Sequence, residues 1–145
     1  MVLAGNPILV DGKPGLADTG IGTLGDAQPV VLDIVLHSRK DILKMLSRVE
    51  KLAMTPNPSE RPENISLVLH GPEIRHFQIS RYDNNRNIVD LAAKLDAFNV
   101  IDIKMCNTQM TTMGIDKKDI PAFIEIVPYG PAEVERLQSK GFLKL

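Results

Sequence analysis

The chain has 145 residues, with 17 Lys and Arg against 18 Asp and Glu. At 43% hydrophobic and 24% charged residues it has the mixture of a globular protein with a core of its own. A net charge of −1 offers no field to a phosphate backbone or an anionic lipid surface, and 4% aromatic residues without Trp leave little on which bases can stack. A single cysteine excludes an internal disulfide framework, a CxxC redox pair and a multi-thiolate zinc site, and the apolar runs are too short for a membrane span or a signal-peptide core, so a cytoplasmic protein is expected.

Residues 1–29 stand apart. Six glycines and three prolines punctuate them without a sustained period, which predicts an extended or irregular arm. Ile8-Leu9-Val10 before Asp11-Gly12 fits one side of a small hairpin. Gly20-Ile21-Gly22-Thr23-Leu24-Gly25 matches the spacing of a dinucleotide-binding loop, but no strand precedes it and a strand follows where the phosphate-binding helix should start. No cofactor is expected there.

From Val30 the pattern turns regular, and residues 30–145 read as one α/β domain in which strands alternate with helices around a mainly parallel sheet. Five strands are predicted, at 30–36, 65–69, 100–105, 124–127 and 142–145. Ser38 and Asp41 open the first helix as a capping box, with Ile42, Met45, Leu46, Val49, Leu52 and Ala53 on its inner face. A short helix begins at Pro72 and turns Ile74 and Phe77 inward. Another begins near Asn85, puts Ile88, Leu91, Ala92, Leu95 and Phe98 on one stripe, and stops at Asn99 in a left-handed conformation. A helical turn through Met110 and Met113 ends at Gly114, and Asp116 caps a brief one before Pro121. The last helix runs over 131–140, with Pro131 at its first position and Gly141 past its end.

The candidate chemistry lies where strands end. The first runs out in Val35-Leu36-His37, the second in Val68-Leu69-His70 and the third in Lys104-Met105-Cys106. In a parallel sheet these ends share the carboxyl rim, where α/β proteins build their sites. Cys106 also stands where a helix begins, and a thiol there with an imidazole in reach is expected to be accessible and biased toward the thiolate. No acidic residue is evident beside either histidine to orient it. The fourth strand brings Val127-Pro128-Tyr129-Gly130 to the same rim, so Asn107, Thr108, Tyr129 and Gly130 are the expected substrate-binding lining. His37, His70 and Cys106 also have the composition of a His, His, Cys metal set, although the expected site holds no metal. His76 reads as a solvated surface residue, and the methionines at 105, 110 and 113 as packing.

These residues resemble the DsrE/DsrF-like proteins of intracellular sulfur oxidation and sulfur relay. The likeness spans about residues 30 to 145. It rests on the first strand ending in His37, on Leu67-Val-Leu-His70-Gly71-Pro72, and on Cys106 followed by Met110, Gly114 and Ile115. It continues through Asp119-Ile120-Pro121, Ile126-Val127-Pro128 with Gly130, Ala132-Glu133, Leu137-Gln138, Gly141 and Phe142. Two features depart from the family pattern: Asn107-Thr108-Gln109 replaces Asn-Thr directly before the methionine, and Tyr129 stands where a small residue is common. The resemblance implies a three-layer α/β/α sandwich, a homo-oligomer, and a sulfur carrier or sulfurtransferase in which Cys106 accepts sulfane sulfur. Its partners would be thiol or persulfide proteins. The alternatives are a non-catalytic oligomeric subunit that binds a small ligand or metal at the same rim, and a structural partner that uses the arm at an interface.

Overall fold

The structure, a computed structural model, describes residues 28–35, 38–57, 59, 61 and 64–145. His37 and the glycine-rich arm, with its hairpin and GxGxxG readings, lie outside the described residues except for Gln28 and Pro29.

The chain runs β1 (Val30–Ile34), α1 (Arg39–Ala53), β2 (Ile65–Leu69), two 3-10 segments (Pro72–Phe77 and Ile79–Asn84), α2 (Arg86–Ala97) and β3 (Ile101–Cys106). It continues through α3 (Asn107–Met113), a 3-10 turn (Lys117–Asp119), β4 (Glu125–Val127), α4 (Gly130–Ser139) and β5 (Leu143–Lys144). The five strands form one sheet in the order β4-β3-β2-β1-β5, and every pairing is parallel. The α/β fold with a five-stranded sheet is therefore as expected, and the sheet is wholly parallel.

Strand order decides which helix covers which face. From β1 to β4 the chain steps one strand at a time in one direction, and right-handed crossovers keep α1 and α2 on one side. The connection from β4 to β5 travels back across the sheet, so α4 lies on the other. Two separate apolar clusters record this. Leu32, Leu67, Ile103 and Met105 pack with Ile42, Leu46 and Val49 of α1 and Ile88, Ala92 and Leu95 of α2. On the opposite face Val31 and Val68 meet Val134 and Leu137 of α4, with Phe142 against them. Side chains alternate between the faces along each strand, so neighbouring strand residues belong to different layers.

Local chemistry sets the boundaries. The Ser38 side chain accepts the Asp41 N–H at the start of α1, and the Asp116 carboxylate accepts the Lys118 N–H before the short turn. Asn99 adopts φ 59° after α2, and Gly114 closes α3 at φ 71°, a conformation glycine reaches without steric cost.

Three expectations need correction. The first strand ends at Ile34 rather than Leu36, and Val35 is already exposed. Phe98 was placed on the inner stripe of α2 but is 70% exposed, because the helix ends at Ala97 and Phe98 falls on its cap. His76 is partly buried rather than solvated. The predicted bounds of the other elements hold to within about two residues, the usual spread at helix and strand ends.

Candidate functional site

Leu69 of β2 and Met105 of β3 are register partners, and one step further along the parallel strands brings His70 beside Cys106. Leu69 and Met105 point into the larger core, so by alternation their successors turn to the α4 face. Asp33 precedes Ile34 of that same core and turns the same way. Three strands thus deliver a carboxylate, an imidazole and a thiol to one face at one rim.

Close packing joins them. Gly130, the first residue of α4, is buried against both side chains. A Cβ built on it would lie 2.7 Å from His70 Cβ, 3.1 Å from His70 Cγ and 3.2 Å from Cys106 Cβ. No side chain fits there without displacing one of them. His70 Nε2 hydrogen-bonds Asp33 Oδ1, and the second carboxylate oxygen lies 3.5 Å from Lys144 Nζ of β5. With Asp33 on Nε2, Nδ1 is left as the second ring nitrogen of His70.

The thiol is enclosed, contrary to the expectation of an open sulfur. Cys106 is only 2% exposed, yet it belongs to neither apolar cluster. It is the last residue of β3 and the cap of α3, and its Sγ accepts the Gln109 N–H at 3.4 Å. Gly130 at the start of α4 packs against Cys106, and the loop before it is tied to α3: Thr108 donates from both N–H (3.3 Å) and Oγ1 (3.0 Å) to the Pro128 carbonyl.

Of the expected site residues, the structure brings together Cys106, His70 and Gly130. Thr108 is exposed and its hydroxyl is committed to Pro128, Asn107 is partly buried, and Tyr129 stands 52% exposed at the rim. Gly130 is a spacer between the His70 and Cys106 side chains, and Met105 and Met110 are core residues. His37 lies outside the described residues. Among the described residues, no three His, Cys, Asp or Glu side chains gather closely enough to hold a metal ion, and no helix is long and apolar enough to cross a membrane.

Sequence reasoning missed Asp33, the carboxylate that orients His70. The available signal was a lone acid inside the apolar strand Val30-Val-Leu-Asp-Ile34. It also missed a charged group on the same face. The Lys104 side chain is 7% exposed, and its Nζ lies 2.7 Å from Glu125, 3.2 Å from Asp102 and 3.6 Å from Glu133 of α4. Burial alone would lower its pKa, but the Glu125 and Asp102 carboxylates hold it above the ordinary lysine value. Arg136, donating to Glu133 through two nitrogens at 2.9 and 2.6 Å, holds the Glu133 carboxyl below the ordinary glutamate range, with Lys104 adding to the effect.

Because its folded-state pKa is depressed, Glu133 contributes stability that is complete above its unfolded pKa and is lost as pH falls through the folded value. Denaturant midpoints should therefore be flat from neutral pH down to the ordinary carboxylate range and then fall. Glu133→Gln should show a shallower fall; an unchanged acid slope would remove Glu133 from this role.

Fold and rim define a parallel α/β protein with a capped thiol and an acid-oriented imidazole at the carboxyl ends of its central strands. No protein-family model matches the sequence, and no curated protein matches it. Among solved structures it is similar to MTH1491, a protein of unknown function from Methanobacterium thermoautotrophicum. The two share 18% identity at a TM-score of 0.64, covering 81% of this chain and 97% of that one. Likeness at this identity is a likeness of fold.

Proposed function

We propose that this protein is a sulfur carrier or sulfurtransferase that passes sulfane sulfur through a persulfide on Cys106, as its resemblance to the DsrE/DsrF-like proteins implies. The observation that carries this reading is the meeting of Cys106 and His70 around Gly130, with Asp33 orienting the imidazole. In this reading the base is His70, through Nδ1, the ring nitrogen that Asp33 leaves free of its own bond. The Cys106 thiolate attacks the outer sulfur of a donor persulfide, R–S–SH. A new S–S bond forms at Sγ, the donor S–S bond breaks, and the donor leaves as R–S⁻, taking up a proton. An acceptor thiolate then attacks the outer sulfur and regenerates the Cys106 thiolate. With no second cysteine in the chain, that acceptor belongs to another molecule.

Enclosure of Sγ suits a carried persulfide, since it keeps stray thiols away. Donor and acceptor would approach past exposed Tyr129 and Thr108 at the rim. The same reading takes the protein to be a cytoplasmic homo-oligomer that works with thiol or persulfide partner proteins.

Cyanolysis tests the transfer. Protein loaded with polysulfide and then desalted should release about one equivalent of thiocyanate on treatment with cyanide, and Cys106→Ala should release none. Equal release from both would contradict the proposal. Asp33→Asn leaves His70 without its carboxylate, and is expected to slow loading about tenfold or more while the fold persists. An unchanged rate would separate Asp33 from the reaction.

A further inference from the structure

A cleft of about 560 Å³ lies at the amino-terminal edge of the sheet, the end away from Cys106. Its apolar lining is Ala53, Met54, Ile65, Leu95, Phe98 and Val100. Ile65 and Leu95 are core residues, whereas Met54 and Phe98, the caps at the ends of α1 and α2, stand 73% and 70% exposed. Two large apolar side chains left in water beside one apolar cleft mark a binding surface.

The point at which the chain enters the sheet says what covers it. Val30, the first residue of β1, is the register partner of Ile65, and its N–H donates to the Asn64 carbonyl at 2.8 Å. Strand spacing puts Val30 about 5 Å from Ile65 and about 10 Å from Ile101, the residue after Val100. The glycine-rich arm therefore leads into the fold beside this cleft.

Charge selects the part of the arm that fits. Lys94 Nζ lies 2.7 Å from Glu50, so these two lining charges cancel. Arg61 donates through Nε to the Thr55 carbonyl at 2.7 Å, and among the described residues no carboxylate pairs with its guanidinium. The cleft suits an apolar segment with an acid beside it. Ile8-Leu9-Val10 is such a segment, followed directly by Asp11, whereas the run Met1-Val-Leu-Ala4 is followed by Gly5 and Asn6 and has no acid. The 16 residues from Gly12 to Ala27 hold five glycines. A flexible linker of that length has a root-mean-square span of roughly 20–24 Å, enough to return to the cleft without stretching. Such a tether supplies a local concentration on the order of millimolar, which favours the chain's own arm over that of a second copy.

We propose that Ile8-Leu9-Val10 of the same chain docks in this cleft, covers Met54 and Phe98, and pairs Asp11 with Arg61. Docking at the amino-terminal edge leaves the carboxyl rim free, and the inference stands whether or not Cys106 carries sulfur.

Fluorescence quenching in the full chain tests this. The protein has no Trp, so Phe98→Trp places a single reporter at the cleft, at an exposed position that accepts the larger ring. Its emission should be shielded from acrylamide, and adding Leu9→Asp should raise the quenching constant several-fold. Asp11→Arg and Arg61→Glu should each release the segment in the same way, and the two together should restore the shielding. Mixing chains that carry both Phe98→Trp and Leu9→Asp with excess wild type should change nothing. Equal quenching with and without Leu9→Asp, or reversed charges that fail to restore shielding, would overturn the proposal. So would shielding regained on mixing, which would put the arm of a second copy in the cleft.

Discussion

Gly130→Val is expected to abolish sulfur loading and to lower stability by about 1–3 kcal/mol, the usual cost of forcing extra carbons into a packed site. Even the first added carbon would sit 2.7 Å from His70 Cβ and 3.2 Å from Cys106 Cβ, distances at which carbon atoms repel. The neighbours have little room to retreat. His70 is tethered to Asp33, and Cys106 is the terminal strand residue whose sulfur caps α3. The collision is relieved by moving the start of α4 outward, which opens the pocket that encloses Sγ. Gly130→Ala should fall between wild type and Gly130→Val in both stability and loading. Thermal unfolding and thiocyanate yield, measured on the same preparations, check the pair. Wild-type loading by a folded Gly130→Val would show that the close approach is not required.

Lys104→Ala is expected to cost about 2 kcal/mol. Breaking a fully buried ion pair costs about 3–5 kcal/mol. The figure here is lower because the Glu125 and Asp102 side chains are 60% and 47% exposed and fall back on water. Glu133 is different: its side chain is 9% exposed, and without Lys104 it keeps only Arg136 to balance its charge. Since Glu133 lies in the first turn of α4, three residues after Gly130, the loss should also loosen the helix against Cys106. Denaturant unfolding of Lys104→Ala beside Lys104→Met separates the lost charge from the lost packing. A midpoint equal to wild type in both variants would show that the charged group does not hold α4.

The layers of this fold were legible because its elements carry local signals. Ser38 and Asp41 mark the start of α1, Pro131 and Gly141 bracket α4, and short apolar runs separated by polar turns mark the strands. Cys106 and His70 could be placed at one rim because parallel strands that end in reactive residues must present them together. What the sequence withheld depends on strand order and on which face a strand residue takes. The tie between Asp33 and His70 joins residues 37 positions apart and exists only because β1 and β2 are neighbours in register. The enclosure of Cys106 follows from α4 crossing back over the second face, and no local pattern near Cys106 announces that return. Lys104 is the cation around which Asp102, Glu125 and Glu133 are arranged, and two of those three carboxylates come from other elements far along the chain.

Exposure explains the remaining difference. An imidazole near the thiol was expected from strand ends alone, whereas access to the thiol depends on how α4 and the loop before it, which Thr108 ties to α3 through Pro128, close over β3. Weakening that tie with Thr108→Val, which keeps the shape and the N–H bond and removes only the hydroxyl donor, should speed alkylation of Cys106 several-fold, as expected when one of two modest hydrogen bonds is lost. An alkylation rate equal to wild type would mean that the cover opens elsewhere.

The intact mass of the protein after incubation with polysulfide bears most directly on whether Cys106 carries sulfur. Wild type should gain the mass of one or more sulfur atoms, lose it again on reduction, and yield a modified peptide containing Cys106, while Cys106→Ser stays at its starting mass. A wild-type protein that gains no sulfur under conditions in which a free thiol peptide does, or a Cys106→Ser variant that gains as much as wild type, would contradict the account.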